Sequence, residues 1–117
     1  SSDLTKRYDA HLRRLRRQLA ERKQLAWQAL LRHLPAEVKI HHSDSGYFLW
    51  LELPAGADAG ELSARALAYN ISIAPGKMFS TTASWTSFFR FNTAWGWGEK
   101  EELGVKRLGE LIREMLA

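Results

Sequence analysis

A chain of 117 residues, 45% hydrophobic and 26% charged, is long enough to bury one core and short for two. It contains no cysteine, which excludes disulfides and thiolate metal sites and suits a reducing compartment, so the cytoplasm is the expected location. The formal charge of +4 is unevenly spread: residues 1–35 hold nine Lys/Arg against three Asp/Glu, and the remainder holds eight against ten.

The opening segment, SSDLTKRYDA, has no apolar core of the kind a secretory signal needs, and no apolar run approaches the roughly 18 residues that would span a bilayer. No membrane partner is expected. The chain lacks an initiator Met and enters a helical pattern almost at once, so residues 1–117 are expected to be a single domain excised from a longer protein.

Leu4, Tyr8, Leu12, Leu15, Leu19, Ala26, Leu30 and Leu34 recur at mostly three- or four-residue intervals, which predicts a long one-sided helix from about Leu4 to His33, ended by Pro35. Its RRLRR run falls mainly off the apolar stripe. EVKIHH and GYFLWLELP then alternate as strands do, with Val38, Ile40 and His42 on one face and Tyr47, Leu49, Leu51 and Leu53 on another. The intervening SDSG predicts an antiparallel hairpin, closed by Pro54. Asp58 and Glu61 have capping-box spacing ahead of a helix of about a dozen residues that should bury Leu62, Ala66 and Tyr69.

Asn70 tolerates the left-handed conformation that ends helices. ISIAPG reads as a short strand with Ile71 and Ile73 inward, stopped by Pro75 and Gly76; KMFSTTASWT is an aperiodic loop, and SFFRFN is a further strand. The closing helix has Glu99, Glu101 and Glu102 in its first turn and Lys106, Arg107 and Arg113 later, the order its dipole favours. Val105, Leu108, Ile112 and Met115 form its stripe, with Gly104 and Gly109 positioned for close packing. The fold class is therefore α+β: a two-layer sandwich with a long N-terminal helix, a small sheet containing an antiparallel hairpin, and a C-terminal helix.

Arg90 stands out in this pattern. Phe89 and Phe91 point one way along the strand, while Phe88, Arg90 and Asn92 point the other. A guanidinium that shares a face with an aromatic ring suits a pocket wall, where its planar fork can pair both oxygens of a carboxylate. The alternative is an exposed arginine or a cross-strand ion pair with Glu52.

Other chemistry is poorly supported. His41 and His42 face opposite sides of their strand, His11 and His33 lie on the first helix, and no acidic residue completes a metal set, so no metal site is expected. No Ser–His–Asp grouping is credible, and APGKMF is not a phosphate loop; Lys77 there reads as a surface lysine. The basic helix has the charge to attract phosphates but no accompanying nucleic-acid-binding signature, which leaves a standalone basic-helix module as a further alternative.

In this order and spacing, SGYFLWLELP, ISIAPGKMFS and FFRFNTAWGWGEKEE resemble the C-terminal small domain of fold type I aminotransferases, and more narrowly that of aminotransferase-like transcriptional regulators of the GntR/MocR group. YDAHLRRLRR is similar to the segment by which such regulators enter that domain. The resemblance implies that Arg90 binds the α-carboxylate of an amino acid and that Asn92 supports it from behind at most. Ser45 stands where the family has the first glycine of its turn. The Schiff-base lysine, the acidic partner of the pyridine nitrogen and the phosphate loop belong to a preceding large domain.

The resemblance further implies pyridoxal 5'-phosphate in the parent protein and none in these residues, an amino acid or amine ligand, and contact with DNA only through a separate N-terminal domain. The parent is expected to be a homodimer. The residues alone are not expected to catalyse a reaction. A true pyridoxal-phosphate-dependent aminotransferase is the alternative parent.

Overall fold

The computed structural model describes residues 2–42, 46–79 and 85–117. In chain order the elements are α1 (Ser2–His33), β1 (Lys39–His41), β2 (Phe48–Glu52), α2 (Ala59–Leu67), β3 (Ala74–Pro75), a 3-10 turn (Gly76–Met78), β4 (Phe88–Asn92) and α3 (Glu99–Leu116). The strands form one antiparallel sheet in the order β1-β2-β4-β3, so the hairpin expected from the alternation is present, with Lys39 opposite Glu52. Residues 43–45 of the expected SDSG turn, Ser45 included, and residues 80–84 of the expected loop at 77–86 lie outside the described residues.

Strand alternation sorts the two faces of the sheet. Leu49, Leu51 and Phe89 point to the helices and are fully buried, together with Leu30 of α1, Leu62 of α2 and Leu108 of α3. Burying side chains of this size is worth roughly 1.5 to 3 kcal/mol each against exposure, which makes this layer the main source of stability. Phe48, Trp50, Phe88 and Arg90 are left on the opposite face. None of the helices formed by the described residues is long and apolar enough to cross a membrane.

Several expectations shift in detail. The stripe of α1 continues to its start, but Leu4 and Tyr8 are 68% and 63% exposed, because a helix of 32 residues, about 48 Å at its usual rise, outruns the body it packs on. Tyr47 precedes β2 and is exposed. Asp58 caps α2 by accepting from the Gly60 amide at 2.7 Å, but Glu61 pairs with Arg65 at 2.8 Å rather than reaching back. That helix has nine residues and ends before Tyr69, whose ring is exposed and lies 4.1 Å from the Arg107 guanidinium instead of in the core. Asn70 does adopt the left-handed conformation, with φ of 62°. β3 is only two residues long, and Pro75 pairs with Phe89 instead of stopping the strand.

Glu102, on the first turn of α3, ties that helix to the end of α1. It accepts from Arg32 at 2.7 and 2.9 Å, lies 2.8 Å from His33 Nε2, and takes a weaker bond from Trp97 Nε1 at 3.3 Å. These partners, Arg32 first and then His33, hold its carboxyl down to about 2 from the ordinary 4.5. The network's contribution is therefore complete above pH 4.5 and is lost as pH falls toward 2. Because the carboxylate and its Arg32 partner are largely solvated, that contribution is on the order of 1 kcal/mol. Glu102→Gln should lose about this much at neutral pH and flatten the acid limb, as read by urea unfolding across the same pH range.

Candidate functional site

The site begins with the position of β4. It lies between β2 and β3, so the Arg90 side chain stands next to Trp50 on one side and Ala74 on the other. Ala74 carries only a methyl group, which leaves that flank open. Trp50 offers a broad aromatic wall.

The turn after β3 completes the surroundings. Gly76 lies so close to the chain before β4 that a Cβ there would come within 2.5 Å of the Trp85 carbonyl oxygen and 3.0 Å of that of Phe88. Only glycine permits this approach, which carries the 3-10 turn across the sheet and sets Phe79 beside Arg90. The Arg90 guanidinium then lies 4.8 Å from the centre of the Phe48 ring and 4.5 Å from that of Phe79. Trp50 meets both rings edge-on, at 6.2 Å and 85° for Phe48 and 5.3 Å and 83° for Phe79. Trp85 leans on Trp50 at 5.2 Å and on Phe88 at 5.1 Å.

The alternative of an ion pair with Glu52 is not what forms. Glu52 stands opposite Phe88, and its carboxylate is 2.9 Å from His41 Nε2. Among the described residues no carboxylate pairs with Arg90. The arrangement is thus a cation flanked by two aromatic rings, able to direct its N–H donors at an incoming planar anion.

Asn92 shares the face of Arg90, but its Oδ1 accepts from the Ala94 amide at 2.8 Å, so it shapes the turn that follows β4. Arg22 of α1 donates to the Ala94 carbonyl at 2.9 Å and fixes the same residue from the other end. Lys77 carries its ammonium to the start of α2, where a Cβ on Gly60 would lie 2.7 Å from it. No metal-binding group of His, Asp and Glu forms among the described residues. Arg13, Arg14, Arg16 and Arg17 are exposed along α1.

Hollows of about 410, 580 and 360 Å³ lie elsewhere, and Arg90 lines none of them. Arg90 itself is half-buried. Sequence reasoning singled out Arg90 but missed Phe79 and Trp85, which sit in or beside the segment without periodicity. Aromatic residues in an otherwise polar loop were the available signal.

No family model matches the chain. It is 78% identical over 96% of its length to the HTH-type transcriptional regulator YdcR of Escherichia coli, of which it spans 24%. It is 34% identical over 94% of its length to the 2-aminoadipate transaminase of Thermus thermophilus, spanning 28% of that protein. Among solved structures, the α-aminoadipate aminotransferase LysN of T. thermophilus, complexed with N-(5'-phosphopyridoxyl)-L-leucine, superposes with a TM-score of 0.86 at 33% identity, covering 98% of this chain and 30% of that one. A multiple substrate aminotransferase of Thermococcus profundus gives 0.83 at 27% identity, covering 92% and 27%. The chain thus spans about a quarter of the curated relatives it matches. With sequence and fold in agreement over nearly all of its length, the chain has the fold of an aminotransferase small domain and is similar in sequence both to an HTH-type regulator and to an aminotransferase.

Proposed function

We propose that these 117 residues are the closing small domain of a pyridoxal-phosphate-dependent, aminotransferase-like regulator of the GntR/MocR group, and that Arg90 binds the α-carboxylate of its amino acid ligand. The observation that carries the reading is Arg90 itself, flanked by the rings of Phe48 and Phe79 and paired with no carboxylate among the described residues. A charge kept partly desolvated without a resident partner is costly, and an arriving carboxylate offsets that cost. The 78% identity to an HTH-type regulator supports the regulator rather than the enzyme.

Pyridoxal phosphate fits the parent rather than these residues: Lys77 carries its ammonium to the start of α2 rather than to Arg90. When bound in the large domain, the cofactor supplies the aldehyde that captures the ligand's amino group. This chain holds the carboxylate at the other end, and Asn92 supports the strand end behind Arg90. Contact with DNA is made by a separate N-terminal domain of a cytoplasmic homodimer, and occupancy of the ligand site is reported to it by movement of the small domain.

The test uses the full-length protein with cofactor and an amino acid, reading both DNA mobility and keto-acid formation. The regulator reading expects an amino-acid-dependent change in DNA binding with no turnover. Steady keto-acid formation without any effect on DNA would replace it with the enzyme.

A further inference from the structure

Resting on the reading that Arg90 meets a carboxylate, we infer that Phe48 and Phe79 are positioning residues, which hold the guanidinium plane so that its N–H edge faces the ligand. An arginine side chain has several rotatable bonds and needs something to orient it. The common device is a neighbouring carboxylate, but that would occupy the donors and neutralise the charge a ligand requires.

Two aromatic rings orient a guanidinium without using its donors, because the attraction is to the ring faces and not to an acceptor atom. Phe48 and Phe79 stand within 4.8 and 4.5 Å of Arg90 from separate segments, one from β2 and one from the turn after β3. Neither ring is loose. Trp50 braces both edge-on, and Trp85 braces Trp50 in turn, so the orientation is set by a packed layer rather than by one contact. The acidic residue best placed to compete, Glu52, is engaged with His41.

The experiment compares Phe48→Leu, Phe79→Leu, Phe79→Tyr and Arg90→Ala in the full-length protein, titrated with an amino acid and with the amine that lacks only its carboxylate, followed by cofactor absorbance. Leucine keeps apolar bulk but has no ring face. Each leucine variant should weaken amino acid binding roughly three- to tenfold and leave amine binding unchanged. Phe79→Tyr should restore it, and Phe79→Leu should add nothing once Arg90 is alanine.

If the leucine variants bind the amino acid as the wild type does while Arg90→Ala does not, the positioning role is wrong and the carboxylate role of Arg90 stands. Equal loss for amino acid and amine would make the rings general pocket walls and also overturn the inference. If Arg90→Ala binds the amino acid normally, both readings fall together. Phe79 is 46% exposed, so its variants should fold, and a thermal melt checks this.

Discussion

Arg90→Ala in the full-length protein is expected to weaken amino acid binding by about 30- to 800-fold, the equivalent of roughly 2 to 4 kcal/mol. The size follows from what is lost. On the proposed role a bidentate, charge-assisted pair disappears, and the ligand's carboxylate is left against an aromatic layer of Phe48, Trp50 and Phe79. Arg90→Lys keeps the charge but not the planar fork, so it should recover part of the affinity and remain roughly tenfold weak. Binding is followed through cofactor absorbance. Unchanged affinity for Arg90→Ala would remove the carboxylate role outright.

A second large effect is expected in α3, and its sign is opposite to that of the intrinsic helix preference. Alanine is a better helix former than glycine by about 1 kcal/mol, yet Gly109→Ala should destabilise the chain by roughly 1 to 3 kcal/mol. A Cβ at Gly109 would run into the carbonyl oxygen of His33, which is backbone and cannot swing away. Gly104 lies on the same helix with its nearest neighbour, Ile71 Cγ1, at 4.0 Å. Gly104→Ala should therefore be neutral or stabilise by up to about 1 kcal/mol. Urea unfolding of the two variants should move the midpoint in opposite directions.

These two glycines show where sequence reasoning reaches its limit. Both lie in one amphipathic pattern and both suggested close packing, but only Gly109 meets another segment at short range. Residue spacing specifies which face a residue occupies, while the distance to the next element is a tertiary quantity. The same distinction explains Leu4 and Tyr8, whose period is correct and whose burial is not, since nothing in α1 itself says where the body beneath it ends. Tyr69 was placed by helical periodicity that stops two residues before it.

What was legible is what has a strict local period. The strand alternation placed Phe89 in the core and Arg90 on the opposite face, and the capping position of Asp58 and the left-handed Asn70 followed from short-range hydrogen bonding and steric rules. Arg90 was readable on that basis. The rest of the site, Phe79 and Trp85, comes to Arg90 through a turn whose path depends on the close approach at Gly76, and no period encodes that.

The sheet order also bears on how the site behaves in time. Arg90 sits on an inner strand, hydrogen-bonded to β2 on one edge and β3 on the other, so its main chain cannot fray from an edge. Its amide is expected to exchange with solvent more slowly than that of an edge strand, because the ladder must open first. Arg90 therefore stands on main chain that is paired on both sides. Adjustment to different ligands then falls to whatever approaches from the rest of the protein.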